Sequence, residues 1–87
     1  MQELNKTQYF KAQKETAQPV REAIDVVYSA LMEKGYNPVS QIVGYIMSGD
    51  PTYITSHMNA RSTVMKVERD EIVEELLKYY IDNHLKK

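Results

Sequence analysis

The residues of this 87-residue chain that could do chemistry are few and scattered. His57 and His84 are far apart in sequence. His57 has no carboxylate or second histidine at the spacing a metal ion requires, so its expected role is that of a surface or capping histidine, and no metal site is expected. The acidic run at residues 68–75, ERDEIVEE, could in principle pair carboxylates for general acid–base work. At helical spacing, however, Glu71 falls beside Glu75 and Asp70 beside Glu74, with Lys78 a turn beyond, which is the pattern of a solvated charged face. There is no nucleophile elbow, phosphate-cradling glycine loop or dinucleotide fingerprint; Gly44 and Gly49 lie inside or at the end of an expected helix. No catalytic residue and no cofactor are therefore expected, and the chain reads as a non-enzyme. Seven tyrosines suggest base stacking, but Tyr28 and Tyr80 sit on apolar stripes and are expected in a core or an interface.

Composition bounds what must position such residues. With 43% hydrophobic and 26% charged residues, the chain is expected to form one globular domain, small enough that its buried surface only just offsets chain entropy, so that oligomerisation would help it. The absence of cysteine excludes disulfides and thiolate metal ligands and points to a reducing cytoplasm. The apolar runs are too short to cross a membrane, and the first fifteen residues, MQELNKTQYFKAQKE, lack the apolar stretch of a secretion signal. A net charge of −1 argues against a surface built to neutralise a phosphate backbone. The charge is uneven: Lys6, Lys11 and Lys14 make the front basic, while residues 68–75 are acidic.

Residues 1–17 show no sustained period and are expected to form a flexible N-terminal arm, with residues 18–87 as a single helical domain. From Pro19 onward Val20, Ile24, Val27, Tyr28 and Leu31 recur on one helical stripe, with Pro19 in the first turn and Gly35 at the end. Gly35-Tyr36-Asn37-Pro38 and, in one residue fewer, Gly49-Asp50-Pro51 repeat the same start-and-stop signal. Between them Val39, Ile42, Val43, Ile46 and Met47 form one apolar face. The segment is apolar nearly all round, which predicts a central, buried helix. Gly44 in mid-helix predicts a close neighbour against its backbone, with a second subunit as the candidate, and this apolar face is the expected dimer interface. A short turn over residues 51–54, a helix from Asn59, a break near Glu68 and a last helix to about His84 complete the pattern. The expected fold is all-α: a compact, homodimeric bundle of four to five short helices.

Helix, turn, short helix and helix also have the outline of a helix-turn-helix, which makes a DNA-binding regulator the alternative reading. Its recognition segment would be TSHMNARSTVMKVER, carrying Arg61, Lys66 and Arg69, but this lies beside the acidic run and lacks a clear basic footprint.

The stretch EKGYNPVSQIVGYIMSGDPTYI, together with HMNAR and ERDEIVEELLKYYI, closely resembles the signature of the IreB family, whose members include ReoM- and YrzL-type proteins. The resemblance covers Val27 to the C-terminus, with a looser match before it. It implies a small homodimeric helical protein of Gram-positive bacteria, cytoplasmic and without catalytic activity, that controls cell-wall (peptidoglycan) synthesis and antibiotic tolerance. The implied partners are a PASTA-domain Ser/Thr kinase and its cognate phosphatase. A Clp-type protease or a peptidoglycan-synthesis enzyme is a further implied partner, through regulated proteolysis. Neither nucleic acid nor membrane insertion is implied.

Carried onto this sequence, the family's arm threonine matches Thr7 in NKTQYF, the implied phosphorylation site. The arginine of its Asp-Ala-Arg motif matches Arg61, with Asn59 in place of the aspartate, and the arginine of its Glu-Arg-Asp-Glu motif matches Arg69; both are implied partner-binding residues. Two departures stand out. Where relatives commonly have Ile-Pro-Arg-His, this chain has Ile54-Thr55-Ser56-His57, and Leu4 occupies the place of a second arm threonine found in some relatives.

Overall fold

The protein is described by a computed structural model covering residues 2–86, with side chains described from residue 17 onward. Its spine is helix α1 (Gln2–Glu33). Val20, Ala23, Val27, Ala30 and Leu31, spaced three or four apart or adjacent, put one buried stripe along it. The helix ends where Gly35 takes φ 80°: the Tyr36 N–H donates to the Leu31 carbonyl at 2.9 Å and the Gly35 N–H to that of Met32 at 3.1 Å, a Schellman closure of the last turn. The expected start at Pro19 is not observed. Pro19 lies inside α1, on its exposed side, and its ring leaves one helical hydrogen bond to the preceding turn unmade. The expected arm over residues 1–17 thus falls on a stretch whose side chains, up to residue 16, lie outside the described residues.

Helix α2 (Pro38–Ser48) begins as its sequence dictates. The Asn37 side chain accepts from the Ser40 N–H at 3.0 Å, Pro38 occupies the first turn, and Gly49 at φ 74° ends the helix with its N–H on the Tyr45 carbonyl. Asp50 caps the following 3-10 turn, Pro51–Tyr53, by accepting from the Thr52 N–H at 3.0 Å and the Thr52 hydroxyl at 2.7 Å. A second 3-10 turn, His57–Asn59, leads into the short helix α3 (Ala60–Val64) through Met58 and Asn59, both left-handed at φ 57° and 58°. The chain breaks before Glu68, as expected. Helix α4 (Arg69–Tyr80) then starts with the Glu71 carboxylate accepting from the Glu68 N–H at 3.0 Å, and it continues into a π-helical turn, Ile81–Leu85. Among the described residues there is no strand, so the all-α expectation holds.

Helices α3 and α4 pack across α1, and the core gathers Val20, Val27, Ala30 and Leu31 of α1 with Tyr45, Ile54, Ala60, Val64 and Ile72. Helix α2 corrects the sequence reading twice. Within the single chain it is not a buried central helix: Tyr45 is its one buried residue among those described, and Val39, Val43 and Met47 are exposed. The close neighbour of Gly44 is not a second subunit but the ring of Tyr53 from the same chain, which lies where a Cβ would be. The Gln41 amide holds that segment in place by donating to the Tyr53 carbonyl at 2.8 Å.

Candidate protein interface

Helices α1, α2 and α4 leave an open groove of about 800 Å³ between them. Its walls are mostly apolar, with Ile24, Tyr28 and Met32 on α1, Val39, Ile42, Val43 and Ile46 on α2 and Leu76 on α4, and Asp25, Ser29 and Asn37 add polar groups to the lining. Exposures of 71% for Val39 and 51% for Val43, with Met47 beyond the rim at 79%, leave a large uncovered apolar surface on so small a domain. The five residues expected at a dimer interface therefore divide. Val39, Ile42, Val43 and Ile46 line one groove, and Met47 stands outside its lining. Tyr28, expected in a core or interface, is half-exposed on the groove wall, while Tyr80 is half-exposed and stacks on His84 with ring centroids 4.9 Å apart.

The two arginines singled out in the sequence are spent on backbone oxygens. Arg61 Nε donates to the Ile54 carbonyl at 2.8 Å, and Arg69 Nη1 to the Ile46 carbonyl at 2.9 Å. Among the described residues neither forms an ion pair. Together they bracket the turn between α2 and Ile54. Inside that turn the Asp50 carboxyl is held below its usual value, first by the Thr52 N–H and hydroxyl it accepts from and then by the nearby Arg61 charge. Thr7 has its side chain outside the described residues.

His57 does meet a carboxylate, though not one at helical spacing: its Nε2 lies 2.8 Å from Glu33 Oε1 at the end of α1. Among the described residues no three His, Asp or Glu side chains gather as they would for a metal ion. The segment weighed as a recognition helix is not one helix; it divides into the His57–Asn59 turn, the five-residue α3 and a break. Sequence reasoning missed the partner of Glu75. Its carboxylate, largely covered, meets Arg21 Nε at 2.6 Å and ties α4 to α1 across 54 residues, a contact with no local signature. The Glu68–Glu71 cap could have been found, because a carboxylate three residues after a helix start is its signature.

The described residues define a small all-helical domain with an open, mostly apolar groove on its surface. The family model described as the IreB regulatory phosphoprotein matches residues 5–82. The chain is 72% identical over 87 residues to a UPF0297 protein of Lachnoclostridium phytofermentans, covering 100% of this chain and 99% of that one. It is 55% identical over 83 residues to a UPF0297 protein of Acetivibrio thermocellus, covering 95% and 92% of the two chains, and 54% identical over 81 residues to one of Ruminiclostridium cellulolyticum, covering 93% and 92%. The chain belongs to the IreB family of regulatory phosphoproteins. Membership supports a regulatory role and is consistent with a protein that catalyses no reaction. Among the described residues, no helix is long and apolar enough to cross a membrane.

Proposed function

We propose that this chain is a cytoplasmic, non-enzymatic adaptor whose activity in controlling cell-wall synthesis is set by phosphorylation of Thr7 by a PASTA-domain Ser/Thr kinase and reversed by its phosphatase. The observation that carries the reading is the match to a regulatory phosphoprotein family over residues 5–82, a span that includes Thr7. Phosphorylation adds about −1.5 to −2 charges at neutral pH, enough to turn a segment bearing Lys6 and Lys11 from basic to neutral or acidic. A contact with an acidic partner, or with the acidic run at residues 68–75, would then be lost. In the same proposal the protein is a homodimer that buries the groove of Val39, Ile42, Val43 and Ile46, and it acts through regulated proteolysis of a peptidoglycan-synthesis enzyme by a Clp-type protease. The exposed apolar walls of that groove support the dimer.

The test is incubation of the full chain with the cognate kinase, followed by mass spectrometry. Phosphate is expected on Thr7, and Thr7→Ala should abolish labelling and hold the protein in its unmodified regulatory state in cells. A Thr7→Ala protein labelled as strongly as the wild type, or responding normally to envelope stress, would refute the switch. For the dimer, Ile46→Asp places an unpaired charge in the groove and should give monomers in sedimentation experiments. A wild-type protein that sediments as a monomer at tens of micromolar, roughly the range of ordinary weak association, would overturn that part alone.

A further inference from the structure

We propose that Arg69 is a positioning residue for the groove: its guanidinium, carried on the first turn of α4, caps the carboxyl end of α2 and fixes the pose in which the half-buried Ile46 packs on the core while Val39 and Val43 stay exposed on the groove wall. The inference rests on the dimer reading above for its functional consequence, but its structural part stands on separate observations.

Helix α2 has no basic residue in its own last turn. The carbonyls of a last turn lack partners within the helix, and the end of the macrodipole there is negative. A local group deals with one of them, the Gly49 N–H bonding the Tyr45 carbonyl at 2.7 Å, and the Ser48 hydroxyl adds a bond to the Gly44 carbonyl one position further in at 2.7 Å. The Ile46 carbonyl is bonded by Arg69 Nη1 at 2.9 Å, from 23 residues further along the chain. The geometry at Gly49 shows how the guanidinium is seated. A Cβ there would lie 2.9 Å from Arg69 Cζ, 2.9 Å from Nη1 and 3.1 Å from Nη2. Near-equal distances to three atoms of one plane mean that the plane lies face-on over the glycine. Gly49 is therefore required twice, for its left-handed φ of 74° and for the room it leaves to a flat cation.

This explains why an arginine flanked by Glu68 and Asp70 forms no ion pair among the described residues: its charge is directed at the helix end. It also connects two elements at a sensitive place. Ile46 lines both the groove and a recess formed with Glu68, Arg69, Asp70 and Val73. A planar fork can bond the carbonyl and cover the glycine at once, which a lysine ammonium cannot.

The experiment compares wild type, Arg69→Ala and Arg69→Lys in the full-length protein by sedimentation and by hydrogen exchange resolved along the chain. Arg69→Ala is expected to raise the dimer dissociation constant about tenfold and to speed exchange at Gly49 and in the last turn of α2, with Ala30 and Leu31 of α1 unchanged. Arg69→Lys should recover part of the affinity, because charge at the helix end returns without the flat contact. Weakened dimers with unchanged exchange in α2 would mean that Arg69 touches the partner directly, and the proposal falls. Exchange rising equally at α1 would make Arg69 a general stabiliser and also overturn it, as would wild-type values throughout. If the wild type itself is monomeric, the dimer reading fails, and faster exchange confined to the end of α2 still establishes the clamp.

Discussion

Replacing Gly44 by alanine should change sign according to what residue 53 is. An alanine in mid-helix is favoured over glycine by about 1 kcal/mol, so an isolated α2 would gain from the change. In the folded chain the new methyl falls on the Tyr53 ring, 3.0 Å from Cζ and closer still to two other ring carbons. The ring must leave, because the Gln41 bond to the Tyr53 carbonyl holds the backbone of that turn in place. Tyr53 is 39% exposed, so roughly three-fifths of its surface is covered. With an aromatic side chain burying about 150–250 Å² when fully enclosed, at about 25 cal/mol per Å², expelling the covered three-fifths forfeits about 2–4 kcal/mol. Set against the helical gain, Gly44→Ala should destabilise by about 1–3 kcal/mol, lowering Tm by about 4–8 °C for each kcal/mol in a domain of this size. In a Tyr53→Ala background the clash is absent, and the same substitution should stabilise by about 1 kcal/mol. Urea unfolding of the four proteins at one protein concentration closes the cycle, since association shifts apparent stability. Equal destabilisation in both backgrounds, or a stabilised single variant, would refute the packing argument.

Two further outcomes follow from the core and the turn. Leu31 is fully buried against elements from both ends of the domain, and Leu31→Ala should cost about 2–5 kcal/mol in denaturant unfolding, the range for a cavity that cannot collapse. Asp50 titrates below its ordinary value in the fold, so its ionised form stabilises the native state. That contribution is present above the unfolded carboxyl value of about 3.9 and is lost as pH falls through the lower folded value. Asp50→Asn, which keeps the capping oxygen, should therefore be less stable than wild type at neutral pH and approach it below about pH 4; thermal melts across that range showing a constant gap would exclude the linkage.

The helix boundaries around α2 and the buried stripe of α1 belong to the sequence itself. Asn37-Pro38, Gly49-Asp50-Pro51 and Gly35 act on backbone groups within a few residues of themselves, and the spacing of Val20, Val27 and Leu31 selects one face without help from elsewhere. The family resemblance is equally a property of the sequence, since fixed glycine, proline and aspartate positions survive without coordinates. Only the tertiary structure decided which side of α2 goes inward. With apolar residues nearly all round, its own pattern does not distinguish Tyr45, which is buried, from Val39 and Met47, which are not; the choice belongs to the α1 and Ile72 surfaces it meets. The same holds for Gly44 under Tyr53, for Arg69 on the Ile46 carbonyl and for Arg21 on Glu75. Those partners are separated by between 9 and 54 residues, and a helical period describes neighbours within one or two turns, so contacts formed by folding the chain back on itself leave no trace in it.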